Sequence, residues 1–214
     1  MSDAARSGIG AALRLAAFTA VTAAVLAAMV AATRDRIAEG ERRTQLAQLA
    51  ALLPEGGYDN DPVADRTRLI APEGLGSDRP RTVWRARRGG QPAAAVLSVV
   101  APDGYGGPIE LLIGVDAAGT VIGVRVVAHH ETPGLGDPIE ESRSEWIHGF
   151  DGRALGDPPP EAWAVRRDGG QFDQFAGATI TPRAVVGAVR RALEWYAGHR
   201  TEVFDAPAIA EDES

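Results

Sequence analysis

The chain has 214 residues, 45% of them hydrophobic, with 25 glycines, 14 prolines and no cysteine. That length suits one compact domain of about 150 residues plus an extra segment, and the missing cysteines exclude disulfides, Cys-ligated zinc and thiolate-held iron–sulfur clusters. All 22 basic residues are arginine and face 29 Asp and Glu, so the net charge of −7 argues against a protein that binds nucleic acid by neutralising its backbone.

From the N-terminus, residues 1–33 form a segment whose centre is uncharged: the 19 residues 15–33 lie between Arg14 and Arg34. As a helix such a run extends about 28 Å, close to one hydrocarbon core, and it predicts a membrane span. Because alanine dominates it, a buried helix is an alternative; a signal peptide is another, though its apolar core is ordinarily about 7 to 15 residues. Arg6 and Arg14 precede the run, and Arg34, Arg36, Arg42 and Arg43 follow it. Taken alone, the positive-inside rule therefore leaves the large domain in the cytoplasm. Residues 34–57 read as a polar juxtamembrane helix with Ile37, Leu46, Leu49 and Leu53 on one stripe, ended by Pro54, Gly56 and Gly57. Up to residue 53 there are 6 arginines against 4 carboxylates; beyond it there are 16 against 25, a net of −9. The acidity belongs to the globular part.

That part, residues 58–204, opens on an irregular stretch rich in Asp, Pro and Gly over residues 58–80. Four short β-branched runs follow at 82–87, 93–100, 109–115 and 121–127, and Asp116 with Gly119 makes a hairpin of the last two. Residues 142–150 predict a short helix and 163–166 a further strand. The clearest helix is 182–198, with Thr181 as cap, Pro182 at its first position, and Val185, Val186, Val189, Leu193 and Tyr196 facing a core. Strands first and a helix last predict an α+β domain of mainly antiparallel sheet packed with helices. The acidic tail, residues 205–214, reads as disordered.

Three motifs invite chemistry. In Asp173-Gln174-Phe175-Ala176-Gly177-Ala178-Thr179, small residues around Gly177 permit a sharp turn and the approach of a bulky group, and Thr179 presents a hydroxyl near the start of a helix. A phosphate at Thr179 would be stabilised by free amides and the helix dipole; an ordinary turn into a capped helix is the alternative. In His129-His130-Glu131-Thr132-Pro133-Gly134-Leu135-Gly136-Asp137, directly after a strand, two histidines and a carboxylate stand in a row. Adjacent residues on a strand point to opposite faces, which disfavours a shared metal ion. A nucleophile and base pair between Thr179 and one of the histidines is conceivable, but no spacing brings them together. Tyr105-Gly106-Gly107-Pro108 is most simply a turn and matches no phosphate-cradling glycine pattern. Trp84, Trp146, Trp163 and Trp195 read as packing residues.

Taken in order, GYGGPIELLIGVDAAGTVIGVRVVAHHETPGLGD, SEWIHGF and DQFAGAT resemble the FMN-binding domain of membrane redox pumps, above all the G subunit of the Rnf ion-translocating oxidoreductase complex. The resemblance covers residues 1 to about 200 and includes the single N-terminal membrane helix. It implies an FMN joined through its phosphate to Thr179, the last residue of the Gly177-Ala178-Thr179 motif, with Thr181 a fallback. It implies that Asp173 is the acidic residue recognised by a flavin transferase, which takes the FMN group from FAD with Mg2+ as helper. It further implies that His130, Glu131, Thr132 and Leu135 border the isoalloxazine ring. Many members carry Ser or Thr where this chain has Ala176, so that hydroxyl is dispensable here. The implied setting is the bacterial inner membrane, crossed once, with the domain periplasmic against the arginine count.

The function implied is electron transfer through covalent FMN inside a complex coupling ferredoxin and NAD redox chemistry to Na+ or H+ transport. No independent catalytic residues and no metal are expected; the expected partners are the other subunits, the flavin transferase and membrane lipid. Two rivals remain open: the C subunit of the sodium-pumping NADH:quinone reductase, which shares the Thr-linked FMN, and a membrane-anchored binding or scaffold module without flavin. The HHETPGLGD run and a domain poor in insertions lean toward the Rnf side.

Overall fold

The computed structural model describes residues 3–209, with side chains described from Leu15 onward except at 31, 34, 35, 37, 38 and 41. The chain divides into two units at Gln45 and Leu46.

The first unit is helical. Helix α1 spans Asp3–Ala50, its last turn belonging to the second unit. Every residue from 15 to 30 is exposed on it, among them Leu15, Phe18, Val25 and Met29. Thr19, Thr22 and Thr33 return their hydroxyls to carbonyls four residues earlier, so these polar groups are satisfied within the helix. Among the described residues no helix is long and apolar enough to cross a membrane. The expected span at 15–33 includes residue 31, whose side chain lies outside the described set.

The second unit is α+β, built on one five-stranded sheet: β1 (Arg66–Leu69), β2 (Arg81–Arg88), β3 (Gln91–Ala101), β4 (Ile109–Asp116) and β5 (Val121–Ala128). The strands lie in chain order and every neighbouring pair is antiparallel. Alternation along a strand assigns its two faces. Leu97 and Val99 of β3 stand opposite Ile113 and Leu111 of β4. All four point into the core filled by Val185, Val189, Leu193 and Tyr196 of the long helix Ile180–Asp205. Burying one such leucine stabilises the fold by about 1.5–3 kcal/mol. The intervening Ala94, Val96 and Leu112 face the opposite side, where Leu49, Leu52, Leu53 and Val63 cover them. With both faces covered, β3 and β4 are apolar nearly throughout, which is why they read as unbroken hydrophobic runs. The approach is close enough to require a glycine: a β-carbon at Gly114 would stand 2.1 Å from the Leu52 carbonyl oxygen.

Several local expectations are corrected. The stretch 58–80 is not wholly irregular: it contains β1 and a short helix α2, Pro72–Leu75. Strand β1 is hard to see in the sequence because it is a four-residue edge strand carrying two arginines. Residues 163–166 form no strand; Val165 makes a lone bridge to Phe172, between 3-10 turns at Pro160–Ala162 and Arg166–Asp168. The chain reverses there at Gly169 (φ 87°) and packs Gly170 on the Ala164 carbonyl, where a β-carbon would come within 1.9 Å. The expected helix at 142–150 is a 3-10 turn, Glu145–Phe150, opened by Ser144, whose hydroxyl accepts from Trp146 N–H. Thr181 is not the cap of the long helix, hereafter α3: the helix starts two residues before Pro182, which fits there because first-turn amides have no intrahelical acceptor. Asp205 and the residues just after it are ordered, Ile209 N–H donating to the Arg66 carbonyl; tail residues 210–214 lie outside the described set.

Helix α3 is tied down at its C-terminal end by two arginines from β2. Arg85 is 2% exposed; it pairs with Asp65 at 2.5 Å and donates to the carbonyls of Val203 and Phe204. Arg87 pairs with the same carboxylate at 2.7 Å and donates to Phe204 at 2.6 Å. Cations at this end meet the negative pole of the helix and its unpaired carbonyls.

Candidate functional site

Strands β4 and β5 pair so that Glu110 stands opposite Ala128. The loop before β4 and the loop after β5 therefore emerge at the same end of the sheet. The N-terminus of α3 joins them, held by Glu131. This carboxylate is 4% exposed; one oxygen accepts from Gly106 N–H at 3.0 Å and the other from the Thr181 hydroxyl. The fit leaves no room beside it. A β-carbon at Gly136 would lie 2.8 Å from the Glu131 β-carbon, and one at Gly104 would lie 2.7 Å from its carboxylate. The buried carboxylate is thus a staple joining three chain segments.

The staple closes the floor of a cleft of about 320 Å³ lined by Tyr105, Glu131, Thr132, Leu135, Gly136 and residues 177–181. That volume is in the range of small-ligand sites. Its walls are chemically unlike. Leu135 and Tyr105 bring exposed apolar surface, whereas Thr179 and Thr181 bring hydroxyls at the opening turn of α3. Gly177 sits at φ 80° in a turn closed by Ala178 N–H on the Phe175 carbonyl, and a β-carbon there would meet the Leu135 side chain at 3.6 Å. The positive φ, not lack of space, is what calls for glycine here, since the added β-carbon would make only an ordinary van der Waals contact.

Around Thr179 the polar groups come from the 3-10 turn at Arg166–Asp168. Arg167 Nη1 donates to Thr179 Oγ1 at 3.4 Å, and its backbone N–H donates to the Gln174 side chain at 3.2 Å. On either side Arg166 pairs with Asp173 at 3.1 Å, and Arg183 grips Asp168 with two bonds of 2.6 and 2.9 Å. The bond from Arg183 holds the Asp168 carboxyl below the usual range and raises the guanidinium.

The structure brings together six of the eight residues singled out in the sequence: Glu131, Thr132, Leu135, Gly177, Ala178 and Thr179. His130 and Asp173 do not line the cleft. His130 is exposed, and its carbonyl lies against Gly106. Asp173 is exposed too; besides the Arg166 pair, its carbonyl accepts from Trp146 Nε1 at 2.8 Å. Of the other tryptophans, Trp163 and Trp195 are buried in the core. Tyr105, read in the sequence only as part of a turn, and Thr181, expected there as the helix cap and fallback attachment point, join the lining, and Arg167 is the addition of the structure. For Tyr105 a signal exists in Gly104, Gly106 and Gly107 around it; for Arg167 no local signal exists, because its role depends on where Thr179 lands.

His129 turns away from the cleft. Its Nδ1 accepts from Glu131 N–H at 3.0 Å, so Nε2 carries the proton and donates to Glu140 at 2.8 Å. That bond is the main reason the Glu140 carboxyl titrates below its ordinary value. Among the described residues no three His, Asp or Glu side chains converge so as to hold a metal ion.

Residues 104–194, which contain all three loops of the cleft, match the sequence family described as FMN-binding domain, and residues 1–52 match the RnfG N-terminal region. The cleft thus lies in a domain of the FMN-binding class. The G subunit of an ion-translocating oxidoreductase complex from Pseudomonas aeruginosa is 52% identical over 91% of this chain and 91% of its own length. The corresponding protein of Cereibacter sphaeroides is 50% identical over 89% and 85%, and that of Vibrio cholerae 44% identical over 91% and 93%. The chain belongs to the family of G subunits of ion-translocating oxidoreductase complexes. Among solved structures, Shewanella oneidensis NqrC superposes with a TM-score of 0.42 at 22% identity over 68% of this chain and 72% of that one.

Proposed function

We propose that this chain is the FMN-carrying electron-transfer subunit of a membrane-bound ion-translocating oxidoreductase, with the FMN esterified through its phosphate to Thr179. One observation carries this reading: the cleft joins the 131–136 loop to the 177–181 turn, with the Thr179 hydroxyl at the start of a 26-residue helix. The residues present suit the group. A phosphate at Thr179 meets the Arg167 guanidinium and the positive pole of α3, while Leu135 and Tyr105 offer apolar surface to a ring. Bound there, the flavin supplies the electron chemistry; the protein holds it, excludes water and tunes it. Asp173, exposed beside the turn, suits recognition by a flavin transferase better than contact with the cofactor.

Residues 15–33 are the membrane anchor in this reading, supported by 19 uncharged residues and by the exposure of every described side chain from 15 to 30. The domain stands on the periplasmic side, with the other subunits and lipid as partners, and ferredoxin- and NAD-linked electrons pass through it. Protein produced with a flavin transferase and run in SDS gives a fluorescent band that Thr179→Ala abolishes. A dark wild-type band sinks the covalent linkage, and a reporter fused after Ser214 that works only in the cytoplasm sinks the topology.

A further inference from the structure

The two arginines flanking Arg167 in space are already engaged, Arg166 by Asp173 and Arg183 by Asp168. Arg167 is different. Among the described residues its guanidinium makes no ion pair, and its one side-chain hydrogen bond is to the Thr179 hydroxyl. Its neighbour Asp168 is gripped bidentately by Arg183, and Glu131, the carboxylate that meets the start of α3, has both oxygens taken by Gly106 and Thr181. The first turn of α3 contains no acidic residue and Thr179 makes no side-chain cap. A cation there faces the positive pole of the helix, an unfavourable pairing that an anion between them turns favourable. The arginine is also held in place: its own N–H is tied to Gln174, and its 3-10 turn is clamped at both ends by the Asp173 and Asp168 pairs.

We propose that Arg167 is the positioning residue for flavin attachment, its charge holding the phosphate that becomes esterified to Thr179. This rests on the reading of Thr179 as the attachment point and adds the group that makes the neutral hydroxyl a site for an anion. In the transfer the Thr179 oxygen forms a bond to the riboflavin-side phosphorus of flavin adenine dinucleotide. The anhydride bond to the adenylate breaks, AMP leaves with the electron pair, and the hydroxyl proton passes to solvent. Nothing is oxidised or reduced. The product is a phosphodiester with one negative charge, which Arg167 neutralises.

The test uses the full-length chain with purified flavin transferase, flavin adenine dinucleotide and Mg2+, following the rate of appearance of the SDS-stable fluorescent band. Arg167→Gln keeps a hydrogen-bond donor and loses the charge; it slows attachment by about tenfold or more, as expected for a lost charge-assisted contact. Arg167→Lys restores most of the rate, and Arg190→Ala, which alters an arginine paired with Glu194 farther along α3, matches wild type. In the flavin-loaded protein the 31P resonance of the diester shifts in the Gln variant and returns in the Lys variant. If wild type is not labelled, the attachment reading itself falls and the proposal with it. If wild type and the Gln variant are labelled at equal rates, the attachment reading stands and the role of Arg167 is overturned. Loss in the Lys variant equal to that in the Gln variant also overturns it, since shape and not charge would then be what the site needs.

Discussion

The two ends of α3 are both served by arginines, and they are finished in opposite ways. At the C-terminal end Arg85 and Arg87 share the Asp65 carboxylate and direct further donors to helix carbonyls, so charge and dipole are balanced inside the fold, with Arg85 Nε alone of these donors buried without a partner among the described residues. At the N-terminal end Arg167 faces a hydroxyl and the positive pole of the helix, with no carboxylate of its own among the described residues. At the closed end the chain itself completes the helix; at the other end the hydroxyl and the guanidinium leave room for an anion, which is the contrast on which the proposed site rests.

The largest expected effect lies at the closed end. Arg85→Ala truncates a fully buried side chain and frees helix carbonyls, although Asp65 keeps Arg87, and should destabilise the domain by about 3–4 kcal/mol in denaturant unfolding. A loss below about 1 kcal/mol would mean the closed end is not closed by this pair. Next is the staple beneath the open end. Glu131→Ala strands the Gly106 N–H and the Thr181 hydroxyl, at a cost of about 2–3 kcal/mol, and lowers flavin attachment by distorting the cleft; unchanged thermal unfolding would refute the staple.

Between the ends, burial pushes the Tyr196 hydroxyl up to about 12 from an ordinary value of 10.0. The folded domain thus favours the neutral ring. Its stability is flat below pH 10 on this account and falls as pH rises from 10 to 12, by on the order of 2 kcal/mol. Tyr196→Phe should remove that slope in alkaline melts. The smallest effect on stability belongs to Thr179→Ala, which loses one long hydrogen bond at the surface and should shift unfolding by less than about 0.5 kcal/mol while abolishing the fluorescent band. A large loss of stability there would assign Thr179 to the fold and erase the contrast between the ends.

Much of this is legible from residues alone. Strands β2 to β5 are located to within a few residues because their apolar runs are bounded by Gly, Pro and Asp; α3 is found by the helical period of its stripe, but it continues past the expected end at 198, through a kink at His199, to Asp205. Thr181 reads as a cap since local spacing allows it; only the position of Glu131, fifty residues away in the chain, shows that its hydroxyl is engaged elsewhere. His130 and Asp173 belong to the loops that form the cleft but not to its lining, because a motif names a loop without saying which side chains turn inward.

What the sequence determined by itself was the order of elements, the separation of an uncharged N-terminal run from an acidic domain, and the two loops that line the cleft. Those properties are written in periodicity, turn residues and charge, which act over a few neighbours. The meeting of the 129–137 loop with the 173–181 turn, the burial of Glu131 beneath them and the aim of Arg167 at Thr179 were decided only by tertiary structure. Each depends on the pairing of β4 with β5 and on where α3 docks, and those contacts between distant residues leave no trace in local pattern.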